Sequence, residues 1–196
     1  MTDRKKFFDR VRAGILGPTL DEREVSGCNA ILDACKGWPI SWTAYALATA
    51  YHETAHTMQP IKEYGGEKYF NRMYGPEGAN PARARRNGNT KPGDGARYCG
   101  RGYVQLTWKN NYASMGGLLG IDLVGNPDLA LNADVAARIL REGMGKGRFT
   151  GRSLADCLPD EIGKLEQFLQ ARRIINGNDK ALLIAQYALK FQEALL

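Results

Sequence analysis

Residues 41–56 read Ser41-Trp42-Thr43-Ala44-Tyr45-Ala46-Leu47-Ala48-Thr49-Ala50-Tyr51-His52-Glu53-Thr54-Ala55-His56. The small alanine side chains of this run allow a helix to pack closely against its neighbours, and Ser41 is a suitable N-cap. The stretch therefore predicts a buried helix with Glu53 near its C-terminal end. It also contains both histidines of the chain, so it bears directly on the chemistry the protein can perform.

The last five residues of this run spell a zinc motif, in which two histidines one helical turn apart hold the metal and the glutamate acts as general base. A catalytic zinc ion needs three protein ligands and a water molecule. The chain has 2 histidines, so the third ligand would be a carboxylate such as Glu77, or a cysteine. Alternatively, His56 lies at the helix end and interacts with the helix dipole. A zinc-dependent peptidase is therefore one hypothesis.

A second hypothesis uses carboxylates alone. Inverting glycosidases place a general acid and a general base about 6.5–9.5 Å apart. On an unbroken helix, Glu53 and Glu63 would be separated by about 15 Å, which is too far. Pro60 should end the helix near Gln59 and let the chain turn back, so that Glu63 faces Glu53. The other candidates for the base are Glu67 and Glu77.

The surroundings of the two carboxylates predict different roles. Glu53 follows an almost wholly apolar helical turn, where burial would favour the protonated form that a general acid requires. Glu63 lies beside Lys62 in a polar segment and should stay ionised, which suits a general base.

The rest of the chain predicts a mainly α fold with at most a small β element. Between Pro60 and Gly102, repeated Gly, Asn and Pro turn signals predict a long loop region, and its tyrosines indicate that the region is ordered. The last helical pattern is expected to pack in the core, because it lacks the cationic face of a membrane-surface helix. Helical patterns cover residues 7–15, 21–35, 132–143, 159–176 and 179–196.

With 196 residues, 43% of them hydrophobic, the chain can bury one sizeable core and fits a single domain. No window approaches about 20 continuous apolar residues, and the first ten residues lack the apolar stretch of a signal peptide. Either the protein works in the cytoplasm or another factor releases it. We expect reduced, packed cysteines; a bridge between Cys28 and Cys35 is the only pairing that proximity makes plausible.

The net charge of +6 is concentrated in residues 80–112, which we call the basic segment. The segment contains seven basic residues and one acidic residue, Asp94, so it carries as much net charge as the whole chain. A basic strip points to a polyanionic partner, either nucleic acid or an anionic envelope polymer. The alternative is a solvated loop. The basic residues are Arg83, Arg85, Arg86, Lys91, Arg97, Arg101 and Lys109.

Three segments then follow one another in a recognisable order. The first is Ala50-Tyr51-His52-Glu53-Thr54, and the second runs from Gly88 to Thr107 and ends in Gly100-Arg101-Gly102-Tyr103-Val104-Gln105-Leu106-Thr107. The third is Arg173-Ile174-Ile175-Asn176-Gly177. Together they resemble the motifs of glycoside hydrolase family 19, which comprises chitinases and the lysozyme-like endolysins of bacteriophages.

The resemblance implies a role for each matching residue. Glu53 corresponds to the general acid and Glu63 to the general base of an inverting mechanism, while Thr107 corresponds to a residue that helps to hold the attacking water. Arg101 is expected to brace its loop through backbone carbonyls without taking part in catalysis. The substrate-binding positions correspond to Gln105, Asn111, Tyr112 and Asn176.

The resemblance also implies a lysozyme-like, two-lobed α-helical fold. It predicts a single catalytic domain over residues 1–196, with its motifs within about residues 44–178, and no separate wall-binding domain, cofactor or metal. Chitin and peptidoglycan share β-1,4-linked N-acetylated hexosamines, and the basic segment favours peptidoglycan because its peptides and neighbouring polymers are anionic. The first expectation is thus a muramidase-type endolysin that cleaves between N-acetylmuramic acid and N-acetylglucosamine.

The expected partners are peptidoglycan glycan strands and, through the basic segment, the anionic envelope surface; nucleic acid is not expected. The protein would be a monomer that accumulates in the host cytoplasm and reaches the periplasmic wall after a holin opens the inner membrane. A chitinase of the same family, the zinc-dependent peptidase and a non-enzymatic basic binding protein are the alternatives.

Overall fold

The computed structural model describes residues 3–196, which form ten α-helices and one antiparallel pair of short strands. This confirms the mainly α class. In chain order the elements are α1 (Arg4–Ala13), α2 (Glu22–Ala34), α3 (Ile40–Glu53), β1 (Ile61–Lys62), α4 (Glu67–Tyr74), α5 (Pro81–Arg86), α6 (Asp94–Arg97), β2 (Arg101–Gly102), α7 (Lys109–Leu119), α8 (Ala133–Gly145), α9 (Leu165–Ala171) and α10 (Ala181–Leu195), with 3-10 turns at Pro127–Leu131 and Arg172–Ile174.

The chain divides into two compact units, and the boundaries fall after Gln59 and within α8. The first unit contains the chain up to Gln59 together with Leu140–Leu196; the second is Pro60–Ile139. None of the helices in residues 3–196 is long and apolar enough to cross a membrane.

The core of the first unit is built around α3. Its alanines are fully buried, and α10 packs closely against it with Ile184, Ala188 and Phe191 inside. The expected core role of α10 is therefore confirmed. The N-terminus of α3 differs from the prediction: Pro39 occupies the N-cap position, and the Ser41 hydroxyl donates a hydrogen bond to the Asp160 carbonyl at 2.6 Å.

The predicted end of α3 is wrong. The helix ends at Glu53, well before Pro60, because Thr54 takes over the hydrogen bonds there. The buried Thr54 hydroxyl donates to the Ala50 carbonyl at 2.7 Å and accepts from the Met58 amide at 3.1 Å. Ala55, His56 and Met58 all adopt positive φ angles of 50–72°, so the chain leaves the helix in an irregular turn.

In the second unit, the predicted long loop is ordered but is not a loop throughout, since it contains α4, α5 and α6. Strands β1 and β2 pair with Ile61 opposite Gly102 and Lys62 opposite Arg101. After β2 the chain reverses: Gly102 has a φ of 85°, Gln105 one of 50°, and the Arg101 and Leu106 backbones bond each other in both directions. This turn returns Gln105 to the strand pair.

Two other sequence predictions, and one helix that was not predicted, can be compared with the structure. The helix expected over residues 159–176 is shorter and begins at Leu165, whereas α7 is not predicted by the sequence pattern at all. All four cysteines lie within the described residues, are buried and free, and burial raises the pKa of the Cys28 and Cys35 thiols to about 12. This confirms the expectation of reduced, packed thiols.

Candidate active site

Glu63 directly follows β1 and is held by two hydrogen-bond donors. The Tyr74 hydroxyl on α4 donates to Glu63 Oε1 at 2.8 Å, and the Gly100 amide donates to Oε2 at 3.2 Å. The Glu63 amide in turn donates to the Gly100 carbonyl at 2.9 Å, which continues the strand pairing by one residue. Burial, followed by the bond to Glu63, raises the pKa of Tyr74, so its hydroxyl keeps its proton.

Gln105 joins Glu63 at Gly100. A Cβ atom at position 100 would lie 2.7 Å from Gln105 Oε1 and 3.2 Å from Glu63 Oε2, so only glycine leaves room for both side chains. Gln105 Nε2 donates to the carbonyls of Ile61 and Gly102 at 3.1 and 3.2 Å. The amide nitrogen therefore braces the turn, while the amide oxygen lies on the side of the Glu63 carboxylate.

Thr107 and Asn111 continue the hydrogen-bond chain that begins at Gln105. The Thr107 hydroxyl donates to the Gln105 carbonyl at 2.8 Å, and the Asn111 side chain donates to the Thr107 carbonyl at 2.8 Å. Because the Thr107 proton is used in the first bond, its lone pairs remain able to accept a hydrogen bond from a water molecule. Both side chains are half-buried.

Tyr112, predicted as a substrate contact, is fully buried. Its hydroxyl donates to the Cys99 carbonyl at 2.8 Å and accepts from Arg101 Nη1 at 3.1 Å, which corrects the expectation that it offers a ring or hydroxyl to a ligand. Arg101 also donates to the carbonyls of Arg97 and Cys99 and pairs with Asp128 at 2.7 Å. The predicted bracing role of Arg101 is confirmed.

In the first unit, Glu53 has different surroundings from those expected. The predicted apolar setting is wrong, since Glu53 Oε1 accepts a hydrogen bond from Arg172 Nη1 at 2.8 Å. The side chains of Glu53 and Arg172 are only 18% and 3% exposed. Arg172 Nε also donates to the Asp179 carbonyl at 2.9 Å, which fixes the guanidinium. The second oxygen of Glu53 makes no hydrogen bond to any of residues 3–196.

The zinc interpretation depends on a helical geometry that His52 and His56 do not have. Because α3 ends at Glu53, His56 lies outside the helix, with its ring stacked on Tyr51 at 4.3 Å between centroids. The Tyr187 hydroxyl is 3.3 Å from His56 Nε2. Within residues 3–196, no group of three or more His, Cys, Asp or Glu side chains is arranged to hold a metal ion. Burial lowers the pKa of His52, so its ring is neutral at neutral pH.

The remaining candidate residues are all exposed. Asn176 donates its amide proton to the Arg172 carbonyl at 3.0 Å, and its side chain accepts from Gly177 at 2.9 Å. Its substrate-binding role stays a prediction. Glu67 and Glu77 have no hydrogen-bond partner for their carboxylates among the described residues.

Three residues that organise these regions are not identified by the sequence. The pattern marks Tyr74 only as a sign of order and does not single out Arg172. Asn89 is fully buried; its side chain donates to the Tyr74 carbonyl at 2.9 Å and accepts from the Lys109 amide at 3.1 Å. The position of Glu53 in a buried helix indicates that its carboxylate needs a cationic partner, but the sequence does not show that this partner is Arg172.

Some basic residues of the basic segment have polar partners within the protein, and others are exposed without an ion pair among residues 3–196. Arg101 is buried, Arg97 donates to the carbonyls of Val124 and Gly125, and Lys109 lies 3.9 Å from Asp94. The rest are exposed, although the Arg83 guanidinium stacks on Trp108 at 5.3 Å. Among residues 3–196, no ion pair involves Arg83, Arg85, Arg86 or Lys91.

Comparison with known proteins finds similarity to chitinases. Residues 41–139 match the model of glycoside hydrolase family 19, described as chitinase class I. Endochitinase 2 of Gossypium hirsutum is 36% identical over 86 residues, which cover 42% of this chain and 28% of that protein. Basic endochitinase B of Arabidopsis thaliana is 51% identical over 43 residues, 22% of this chain and 13% of that protein. The matches thus span less than a third of these relatives.

Solved structures give the same result for the fold. Chitinase C from Streptomyces griseus has a TM-score of 0.66 at 21% identity, over 99% of this chain and 76% of that one. A bacterial family 19 chitinase has a TM-score of 0.59 at 22% identity, over 99% and 94%. These likenesses confirm the expected fold. The family model covers half of the sequence and includes Glu53, Glu63, Gln105 and Thr107. The chain therefore belongs to glycoside hydrolase family 19.

Proposed function

We propose that this protein hydrolyses β-1,4-linked N-acetylglucosamine polymers with inversion, using Glu53 as general acid and Glu63 as general base. The observation that carries the proposal is the fixed carboxylate of Glu63, which only accepts hydrogen bonds, from Tyr74 and Gly100. A base must be an oriented, ionised acceptor, and neutral donors orient it without supplying a competing positive charge.

In such a reaction, the base takes a proton from a water molecule as that water attacks the anomeric carbon. The acid gives its proton to the departing glycosidic oxygen in the same step, so no covalent intermediate forms. Thr107 supports the first half, because its hydroxyl can accept a hydrogen bond from the water. Gln105, whose amide oxygen lies beside Glu63, is proposed to contact the substrate.

The acid role proposed for Glu53 rests on its position in the family motif, and its contacts add a fixed orientation of the carboxyl group. Arg172 fixes Oε1, so Oε2 is the oxygen that can carry the proton toward the leaving group. A guanidinium that is itself bonded to the Asp179 carbonyl gives the carboxyl group a defined orientation. Orientation of this kind reduces the entropy lost on reaching the reactive arrangement.

Chitin is the substrate that the comparisons favour. The relatives and the solved structures described above are named as chitinases or endochitinases. They support the chitinase alternative better than the muramidase first expected from charge.

The test is turnover of N-acetylchitohexaose by the wild type and by single Glu→Gln variants. Glu53→Gln and Glu63→Gln should each lower kcat about 100-fold or more, the usual contribution of a general acid or base. Glu67→Gln and Glu77→Gln serve as matched controls, because these carboxylates are exposed, and should keep wild-type rates. Circular dichroism checks that each variant folds. Loss of activity in Glu67→Gln with retention in Glu63→Gln would reassign the base.

A second candidate, a muramidase acting on peptidoglycan, is favoured by the free charges of the basic segment. Arg85, Arg86 and Lys91 are exposed cations without an anionic partner among residues 3–196, and such groups attract anionic envelope polymers. In this case the protein would be a monomeric endolysin that waits in the host cytoplasm for a holin. The zinc-dependent peptidase has no comparable support, given the geometry of His52 and His56.

Digestion of Gram-negative peptidoglycan separates the candidates. After borohydride reduction and mass spectrometry, muropeptides with new reducing ends at N-acetylmuramic acid would support the muramidase. The double variant Arg85→Gln/Arg86→Gln should then slow wall digestion at about 50 mM salt and matter less at about 200 mM. The control is Arg148→Gln/Arg152→Gln, an equal charge change on exposed arginines of the first unit. Turnover of chitohexaose without wall digestion would reject the muramidase.

A further inference from the structure

Exposed apolar side chains gather directly after the proposed base. Tyr64 is 77% exposed, Tyr69 38% and Met73 40%, and all three lie within ten residues of Glu63. We call these three residues the aromatic strip, in which Met73 extends the surface of the two tyrosine rings. Single exposed apolar residues need no explanation, whereas a group of them indicates a binding surface.

Local geometry brings the members of the strip together. The Tyr69 ring lies against Gly65, where a Cβ atom would be only 2.6 Å from Tyr69 Cδ1. Gly65 directly follows Tyr64, so the two tyrosines flank one residue without a side chain. Tyr69 and Met73 are four residues apart on α4, and side chains with that spacing are neighbours on a helix surface.

The helix that carries Tyr69 and Met73 also holds the proposed base. On its inner side, Phe70 is 2% exposed and Tyr74 donates to Glu63 Oε1 at 2.8 Å. The rings of Tyr69 and Phe70 meet edge to face at 5.5 Å, which fixes the outer ring on the buried one. Tyr69 is therefore fixed on the same helix that positions the Glu63 carboxylate, and Tyr64 directly follows Glu63 in the chain.

The chemistry of the strip suits a sugar ring. A β-linked N-acetylhexosamine presents C–H groups on its faces and polar groups at its edges, and tyrosine combines an apolar ring with a polar tip. Two lysines near the strip in sequence carry hydrogen-bond donors: Lys62, with its ammonium 6.0 Å over the Phe70 ring, and the exposed Lys68. Apolar walls with a few placed polar groups are typical of small-molecule sites.

We infer that Tyr64, Tyr69 and Met73 form a subsite that stacks on an N-acetylhexosamine ring of the bound glycan, beside the position of the cleaved bond. The inference rests on the proposed function and extends it to residues that none of the three sequence motifs contains. The subsite binds substrate and transition state equally, so it acts on KM and leaves kcat unchanged.

The test compares Tyr64→Ala, Tyr69→Ala and their double variant with the wild type on N-acetylchitohexaose. Each single change should raise KM about 3- to 10-fold, with kcat within about twofold, as expected for the loss of one stacked ring. Tyr64→Phe and Tyr69→Phe keep the ring and should restore most of the affinity. Leu182→Ala, which removes an exposed apolar side chain of the first unit, is the matched control and should change neither constant.

Titration calorimetry with the same hexasaccharide provides a readout that does not depend on turnover. If the wild type turns over the sugar while the double variant keeps wild-type KM, the inference fails and the proposed function stands. If Tyr64→Phe and Tyr64→Ala lose the same affinity, the ring does not stack and the inference also fails. If the wild type neither binds nor cleaves chitohexaose, and neither binds nor cleaves peptidoglycan strands, the inference falls together with the proposed function.

Discussion

At the residue scale, the two proposed catalytic glutamates are held by partners of different charge. Glu63 accepts from a phenol and a backbone amide, whereas Glu53 pairs with a buried guanidinium. The neutral donors orient the Glu63 carboxylate, which is proposed to take up a proton. Arg172 binds one oxygen of Glu53 and leaves its second oxygen available for the proton that a general acid donates. The contacts of Glu63 support its proposed role as base, whereas the acid role proposed for Glu53 rests on the family motif.

Tyr74→Phe should separate orientation of the base from folding. The change removes the hydroxyl that donates to Glu63 and keeps the ring that meets Trp108 edge to face at 5.1 Å. A hydrogen bond to a charged group contributes about 1.5–3 kcal/mol, so kcat on chitohexaose should fall about 10-fold or more. Arg72→Met, which changes an exposed residue of the same helix that is not bonded to Glu63, is the control. A wild-type kcat in Tyr74→Phe would show that the base needs no such donor.

Arg172→Met should be strongly destabilising, because it leaves the Glu53 carboxylate without its cation in a setting where both side chains are largely buried. Breaking such a pair costs about 3–5 kcal/mol. Arg4→Met breaks a pair whose side chains are 36% and 74% exposed, and should cost at most about 1 kcal/mol. Urea unfolding of both variants measures the difference. Equal losses of stability would show that Arg172 is no more important to the fold than a surface arginine.

These residues can be located from the sequence only in part. Glu53 stands out because a carboxylate is rare at the end of an apolar helix, and Glu63 because it follows a proline break. Their partners Tyr74 and Arg172 lie 11 and 119 residues away along the chain, and no local pattern points to them. The prediction for Tyr112 is wrong because a motif position does not reveal whether a side chain faces solvent or the core.

At the element scale, the end of α3 decides where Glu53 lies. The helix is stopped where the Thr54 hydroxyl donates to the Ala50 carbonyl and accepts from the Met58 amide, and not by the proline six residues later. Proline is the only strong stop signal in this part of the sequence. A threonine becomes one only when the fold buries it, so this boundary could not be predicted from local pattern.

Thr54→Val tests the role of the hydroxyl at the helix end. Valine keeps the shape but leaves the Met58 amide without its acceptor in a buried position, which should cost about 1–3 kcal/mol. Thr57→Val is the matched control: its hydroxyl makes similar local bonds but the residue is exposed, and the loss should stay below about 1 kcal/mol. Urea denaturation measures both. Similar values for the two variants would mean that Thr54 does not stop the helix.

Other elements are predictable where periodic apolar residues meet clear end signals. Helices α1, α2, α8 and α10 lie within a few residues of their predicted bounds. The short helices α4, α5 and α6 are not predicted, because turn signals dominate their flanks and each is too short for a clear helical period. Tertiary contacts stabilise them: Asn71 on α4, for example, accepts from the Ala96 amide on α6 at 3.0 Å.

At the scale of the whole molecule, membership of glycoside hydrolase family 19 and the uneven charge are the two facts that bear on function. The family is one of glycoside hydrolases, and the relatives' names support the proposal that chitin is the substrate. The net charge of +6, held largely by the basic segment, favours an anionic polymer. Both substrates contain the same linkage, so the proposed mechanism is common to them.

The stereochemistry of the first product tests that mechanism most directly. Proton NMR of N-acetylchitohexaose during the first minutes of hydrolysis reports the anomer at the new reducing end, before mutarotation mixes the two forms. Direct attack by a water held on Glu63 inverts the β linkage, so the α-anomer is predicted to appear first. A β-anomer appearing first would mean retention through an intermediate and would contradict the roles proposed for Glu53 and Glu63.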